Sequence, residues 1–308
     1  MSTAGQGQEV GGFDAGEVIL HHVSNSSNEH PIIHLPTIFG IDFSVTKHVL
    51  MIWLVAVILF SVIVVTVRKY LKQEQPVPTG FMNAIELVVQ FIRDSIVTPN
   101  VGSKFTLTWT PLILTFFFFI LSANAIGLIP IFDVLGAINR FIFRVDAADS
   151  HNFINNLLHG GVTATGNYNV TSALATITFF TIIIAGTKAH GFITHWKNLV
   201  PKGLAWPIYI ILIPIEIIGL FVRPFALTMR LAANMTGGHI AILAILSFVF
   251  IFSGLFHSAM AGIGVGVFVS VPLSVAISAL EIIVVLVQAY VFTLLSAVFI
   301  GMAINVHH

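Results

Sequence analysis

The chain has 308 residues, of which 56% are hydrophobic and 8% charged, against roughly 25% charged in a soluble domain. Thirteen basic and thirteen acidic residues are too few to clothe a water-facing globule of this size, so most of the surface must face lipid and a soluble enzyme is excluded. The formal net charge of +0 leaves no basic patch for nucleic acid, and the absence of cysteine removes disulfides, a thiolate nucleophile and Cys-type metal sites.

Residues 1–46 read as a polar arm. No Lys or Arg precedes Lys47, whereas Glu9, Asp14, Glu17, Glu29 and Asp42 make the arm acidic, without the basic start and early apolar run of a secretory signal. His21 with His22, or His30 with His34, could hold a metal. Pro31 and Pro36 spoil a helix there, so solvated histidines are the plainer reading. The first uncharged apolar run, Val49 to Val67, is followed by Arg68, Lys69 and Lys72. The positive-inside rule puts that end in the cytoplasm and the arm outside.

After Pro76 and Pro78, residues 81–97 alternate apolar groups with Glu86, Arg93 and Asp94, the pattern of an amphipathic helix lying on the interface without crossing. A second crossing is expected over 105–129, a polar external loop over 133–168, and a third crossing over 172–186. Lys188, Lys197 and Lys202 then fall inside, in agreement with the first assignment. The plan is an all-α, multi-span membrane domain from residue 47 to residue 308.

From Leu204 onward the only Asp, Glu, Lys or Arg are Glu216, Arg223, Arg230 and Glu281, set in two apolar stretches of about 207–253 and 262–305 separated near Gly254 and His257. A helix of some 45 residues would be about 67 Å long, roughly twice the hydrocarbon core. Each stretch is therefore two ordinary spans or one steeply tilted helix, and Pro224, Gly237 with Gly238, and Pro272 permit bends in either case. No internal repeat is evident, which weighs against an inverted-repeat transporter.

Each charge at that depth needs a reason, because an Arg at a helix centre costs about 2.5–3.5 kcal/mol on insertion scales. Glu216, Arg223 and Arg230 are spaced by seven and share one helical stripe, with Asn234 one turn beyond. Glu216 and Arg223 can pair or snorkel. Arg230 stands about 21 Å from Glu216 along the axis and lacks a counter-ion on its own helix. Glu281 shares a second stripe with Ser274 and Gln288, and a carboxylate there is a candidate proton carrier. His239 lies half a revolution from Arg230, so the two should serve different surfaces. A lone membrane histidine is more often a packing residue, but a second long helix bearing Glu281 favours a role in proton handling. No glycine-rich phosphate loop is present, so the chain itself should not bind ATP.

The run Arg223-Pro-Phe-Ala-Leu-Thr-Met-Arg230-Leu-Ala-Ala-Asn234-Met-Thr-Gly-Gly-His239 closely resembles the signature of subunit a of F-type ATP synthases. The likeness continues in Leu280-Glu281, Gln288 to Leu295, Thr165 to Thr171, Asn124 to Pro130, and Pro78 with Glu86. It implies about five membrane-embedded helices, the last two long and steeply tilted, plus the interfacial helix. It also implies that Arg230 is the stator arginine facing a ring of c subunits. By the same resemblance Asn234, His239, Glu281 and Gln288 border the half-channel open to the outside, and Glu216 and Arg223 the one open inward. The implied partners are the c-ring, peripheral-stalk subunit b, other synthase subunits and membrane lipid, with no cofactor. The implied setting is the bacterial inner membrane or, alternatively, the mitochondrial one. A secondary transporter or ion channel is the competing class, since it too would place charges at mid-membrane.

Overall fold

The computed structural model describes residues 44–71, 79–128, 164–197 and 206–305, together with a few isolated positions before residue 44. The N-terminal histidines, nearly all of the acidic arm and most of the 133–168 loop lie outside the described residues. Among the described residues five helices are long and apolar enough to cross a membrane. They are α1 (Lys47–Leu71), α4 (Ser103–Leu128), α5 (Tyr168–His190), α7 (Trp206–Leu255) and the Ala259–Ile304 unit. That last unit comprises α8 (Ala259–Val265), a π-helical turn (Gly266–Ser270) and α9 (Val271–Ile304). The shorter helices among the described residues are α2 (Phe81–Phe91), α3 (Thr98–Val101) and α6 (Phe192–Lys197).

Two crossings differ in length from the sequence expectation. The second starts at Ser103, and the third runs four residues further at each end than 172–186. At its start the Asn167 side chain accepts a 2.8 Å hydrogen bond from the Asn169 amide, a polar N-cap that apolar-run counting overlooks. At its other end Gly191, with φ 84°, supplies the left-handed residue that stops the helix.

The ambiguity of the long stretches resolves in favour of single helices. α7 runs unbroken for 50 residues through Pro214, Pro224 and the Gly237–Gly238 pair. At 1.5 Å per residue it is about 75 Å long, so it can remain in a hydrocarbon layer of about 30 Å only when steeply tilted. Its end is a Schellman turn in which the Ser258 amide donates to Ser253 O (3.1 Å) and the His257 amide to Gly254 O (3.3 Å). His257, at φ 49°, holds the left-handed position that glycine would usually take. The turn sends α8 and α9 back alongside α7.

The core lies among α4, α5 and α9. On α9 the buried positions recur at helical spacing, from Val285 through Ala289, Phe292, Ala297 and Ile300 to Ile304. Lipid and leucine are equally apolar, so close contact rather than water exclusion must hold such a seam, and small residues permit it. Gly301 of α9 lies so close to the Asn100 carbonyl of α3 that a methyl group there would collide with it. The segment expected to rest on the interface divides into an exposed half and a buried half. Phe81, Leu87 and Phe91 of α2 are exposed, whereas Ile92, Ile96 and Val97 in the following π turn (Ile92–Val97) and Val101 of α3 are buried in the core.

Beyond the end of α5, His195 of α6 is buried against Gly186, and the His190 ring bonds Ile304 O at 2.7 Å. Burial, reinforced by the neighbouring His190, pushes the His195 ring below the ordinary imidazole range. The unfolded chain then takes up this proton more readily than the folded one. The associated stability is complete above about pH 6.5 and declines as pH falls below it. The melting temperature in detergent should drop between about pH 7.5 and pH 5.5 by more in the wild type than in His195→Gln. Parallel curves would contradict this.

Candidate ion-conducting site

α7 and α9 run antiparallel, and contacts between them fix their register. Arg223 lies over the Phe299 ring, with its guanidinium carbon 5.7 Å from the centroid. Three turns further along, Asn234 Nδ2 donates to Gln288 Oε1 at 2.9 Å. One turn beyond that, the Glu281 carboxylate rests on Gly238, and past it Val249 meets Gly266. The order along one helix is the reverse of that along the other. Polar groups are concentrated in the middle of the seam.

Glu281 owes its place to the absence of a side chain opposite. Any Cβ on Gly238 would overlap the carboxylate, whereas one on Gly237 would meet nothing within 4 Å. Only 5% of Glu281 is exposed, and neither carboxylate oxygen has a hydrogen-bond partner among the described residues. A buried carboxylate without donors is costly in any fold. His239 follows Gly238 directly and is half-buried. The structure thus brings Glu281, Gly238 and Asn234–Gln288 together at the α7–α9 seam, with His239 adjoining.

Arg230 is placed differently. It stands halfway along α7, exposed, and forms no hydrogen bond or ion pair among the described residues. Around it α7 is bare: Phe221, Phe225, Met229 and Ile240 are exposed, as are Leu280, Ile283 and Val287 on α9. Toward the start of α7, Glu216 and Arg223 form an ion pair with a 3.1 Å N–O distance. Of the two readings open for these residues, pairing is the one observed. Their separation of seven places them two turns apart, and both side chains are long enough to meet.

Several contacts have no forerunner in the sequence reading. Gly237 and Gly238 read there only as possible bends, yet α7 is continuous and Gly238 is a contact point. Thr165 Oγ1 donates to Asn124 Oδ1 at 2.5 Å, joining the turn before α5 to α4 in a buried polar pair. Thr236 of α7 donates to Gly166 O in the same turn at 3.4 Å. The signal for both was present as polar residues within otherwise apolar runs. Their partners are 41 and 70 residues away, beyond the reach of spacing arguments. Among the described residues no group of three His, Asp or Glu could hold a metal ion.

The helix pair thus carries an exposed arginine without a partner among the described residues and a buried carboxylate in its seam. The family model for the ATP synthase A chain matches residues 49–301, from the first span almost to the end of α9. The chain belongs to the ATP synthase A chain family. A relative in Chlorobium luteolum named ATP synthase subunit a 2 is 42% identical over 299 residues, covering 94% of this chain and 76% of that protein. Another of that name in Prosthecochloris aestuarii is 40% identical, covering 96% and 81%. A protein named ATP synthase subunit a in Anaeromyxobacter dehalogenans is 38% identical, covering 97% and 73%. Membership of the ATP synthase A chain family, with five apolar spans, makes this a multi-pass membrane subunit of ATP synthase, engaged in ATP synthesis and ion transport.

Proposed function

We propose that this chain is the non-catalytic, proton-translocating stator of the synthase, working against a ring of c subunits through two half-channels. The observation that carries the reading is Arg230, unpaired and exposed at mid-helix on an uncovered apolar face. A guanidinium keeps its proton even in low dielectric, so its counter-ion must arrive from another molecule. A ring carboxylate passing the α7 face supplies that charge in trans, and the fixed positive charge blocks direct proton leakage between the half-channels. On this reading protons enter from outside by way of Glu281 and His239, with Asn234 and Gln288 alongside, and neutralise the ring carboxylate. They leave inward past Glu216 and Arg223.

The reading places residues 1–46 and the 133–168 loop outside and the C-terminus inside, in a bacterial inner membrane, with peripheral-stalk subunit b and lipid covering the remaining apolar faces. Purification in mild detergent should recover a ring of two-helix proteolipid with the chain. Vesicles holding the isolated chain should be proton-tight, and those holding the assembled membrane sector should conduct. Conduction by the chain alone would favour a channel or secondary transporter.

The Gly238 contact gives a finer test. Gly238→Ala should push the Glu281 carboxylate aside and lower proton-driven ATP synthesis about tenfold or more, since misplacement by about 1 Å has effects of that order. Gly237→Ala, whose methyl meets open space, should remain near wild type. Equal rates in the two variants would remove the carboxylate's position from the mechanism.

A further inference from the structure

α1 leans on the bundle only near its start, where Lys47, His48, Met51 and Val55 are buried; beyond Val55 none of its residues is. Along the rest of the helix Leu54, Ile58, Val62 and Val65 are exposed and recur at helical spacing, so they form one uncovered apolar stripe. Lys69 closes that stripe, about 22 Å along the axis from Leu54. Half of a hydrocarbon core is about 15 Å thick, so the stripe is long enough to carry an acyl chain from the headgroup level to the midplane. Where it ends, α1 and α2 part to leave a cleft of about 320 Å³ between Val65, Lys69 and Tyr70 on one side and Thr79, Phe81 and Met82 on the other. That volume is within the usual range of small-molecule sites.

Lys69 is the one charge among these lining residues, and it forms no ion pair among the described residues. Snorkelling to bulk water accounts for a lysine at the end of an apolar run, but not for a cleft beside it with hydroxyl groups and apolar walls. Arg68, the neighbouring cation, does not line the cleft. We propose that the cleft binds the headgroup of an anionic phospholipid, its phosphodiester paired with Lys69 and one acyl chain laid along the stripe from Val65 to Leu54. Basic pockets between membrane helices recognise such headgroups. The Thr79 hydroxyl is placed to donate a second hydrogen bond to the phosphodiester. A zwitterionic lipid fits less well, because its own ammonium would meet Lys69 with like charge. The site requires only that α1 spans the bilayer, so it stands or falls separately from the stator reading.

The test uses the assembled synthase in phosphatidylcholine vesicles containing a minor fraction of phosphatidylglycerol, with a trace of phosphatidylglycerol that carries a photoactivatable diazirine in its acyl chain. Irradiation should attach the probe to the α1 and α2 segments that line the cleft, and phosphatidylcholine with the same diazirine should label them far less. Lys69→Gln should lower the phosphatidylglycerol label about fivefold, the equivalent of the roughly 1 kcal/mol that one lysine contributes near anionic lipid. Lys69→Arg should keep the label. Arg68→Gln, which removes the same charge outside the cleft, should leave it unchanged, and Met82→Trp, which fills the cleft with Lys69 still in place, should lower it. Ring co-purification confirms assembly of each variant; should Met82→Trp not assemble, the exposed Lys69 and Arg68 carry the test alone. Equal labelling by the two lipids, or undiminished labelling in Lys69→Gln, overturns the proposal. Displacement of the probe by added inorganic phosphate would make the cleft a site for a free anion, and labelling of the isolated chain but not of the assembled synthase would mean that a partner helix covers it; either result overturns the lipid site as well.

Discussion

Replacement of Arg230 by alanine should abolish proton-driven ATP synthesis while the complex still assembles. Assembly is spared because Arg230 is exposed, forms no ion pair among the described residues and belongs to no part of the core. Removing it leaves no buried partner unsatisfied, the usual cause of severe destabilisation. Synthesis is lost because a passing ring carboxylate would meet lipid-like surface in place of a charge. At an effective dielectric of about 20 an ion pair at 4 Å contributes about 4 kcal/mol, or roughly a thousandfold in rate. Arg230→Lys should also be severely impaired. An ammonium can lose its proton when desolvated, and it lacks the planar fork that grips a carboxylate. ATP synthesis in inverted vesicles, with assembly checked by co-purification of the ring, gives the answer. Near-normal synthesis in either variant would end the stator assignment.

Helix content, the first three crossings and the isolation of Arg230 were legible in the sequence for one reason. Charge is so rare in these apolar runs that each ionisable residue is conspicuous, and the distance from Arg230 to Glu216 follows from helical rise alone. The unity of α7 was not legible, because Pro214, Pro224 and a glycine pair are ordinary helix-breaking signals in water. In a membrane the helix has no cheaper alternative, since backbone groups released by a break would find no solvent. The inward turn of the interfacial segment was hidden for a related reason. Ile92, Ile96 and Val97 occupy a π turn, whose extra residue shifts the apolar face out of the 3.6-residue period used to read it. At the site, the stripe of Ser274, Glu281 and Gln288 was visible, but the residues facing it across the seam were not. That pairing depends on the α7–α9 register, which Gly238, Gly262 and Gly266 help set by close approach. Glycines carry no chemistry that composition can flag.

Exchanging the acid and the imidazole tests whether the two helices share one proton-handling site. Glu281 rests against Gly238, the residue before His239, so the two belong to one stretch of the α7–α9 seam. Glu281→His alone leaves two imidazoles. His239→Glu alone puts two carboxylates in one seam, where like-charge repulsion opposes ionising both. The double exchange restores one acid and one imidazole with their helices reversed. Its proton flux should exceed that of the worse single variant, with a favourable coupling on the order of 1 kcal/mol in a double-mutant cycle. Glu281→Gln, which keeps size and hydrogen bonding but does not titrate in range, should lower flux more than His239→Ala, where water can fill the space. Flux is measured by acidification-driven dye quenching in vesicles, with ring co-purification as the assembly control. Strict additivity in the exchange would mean that the two side chains act independently. The outward path would then have to pass beside one of them, and Gly238, whose bare backbone admits the Glu281 carboxylate, would matter for packing alone.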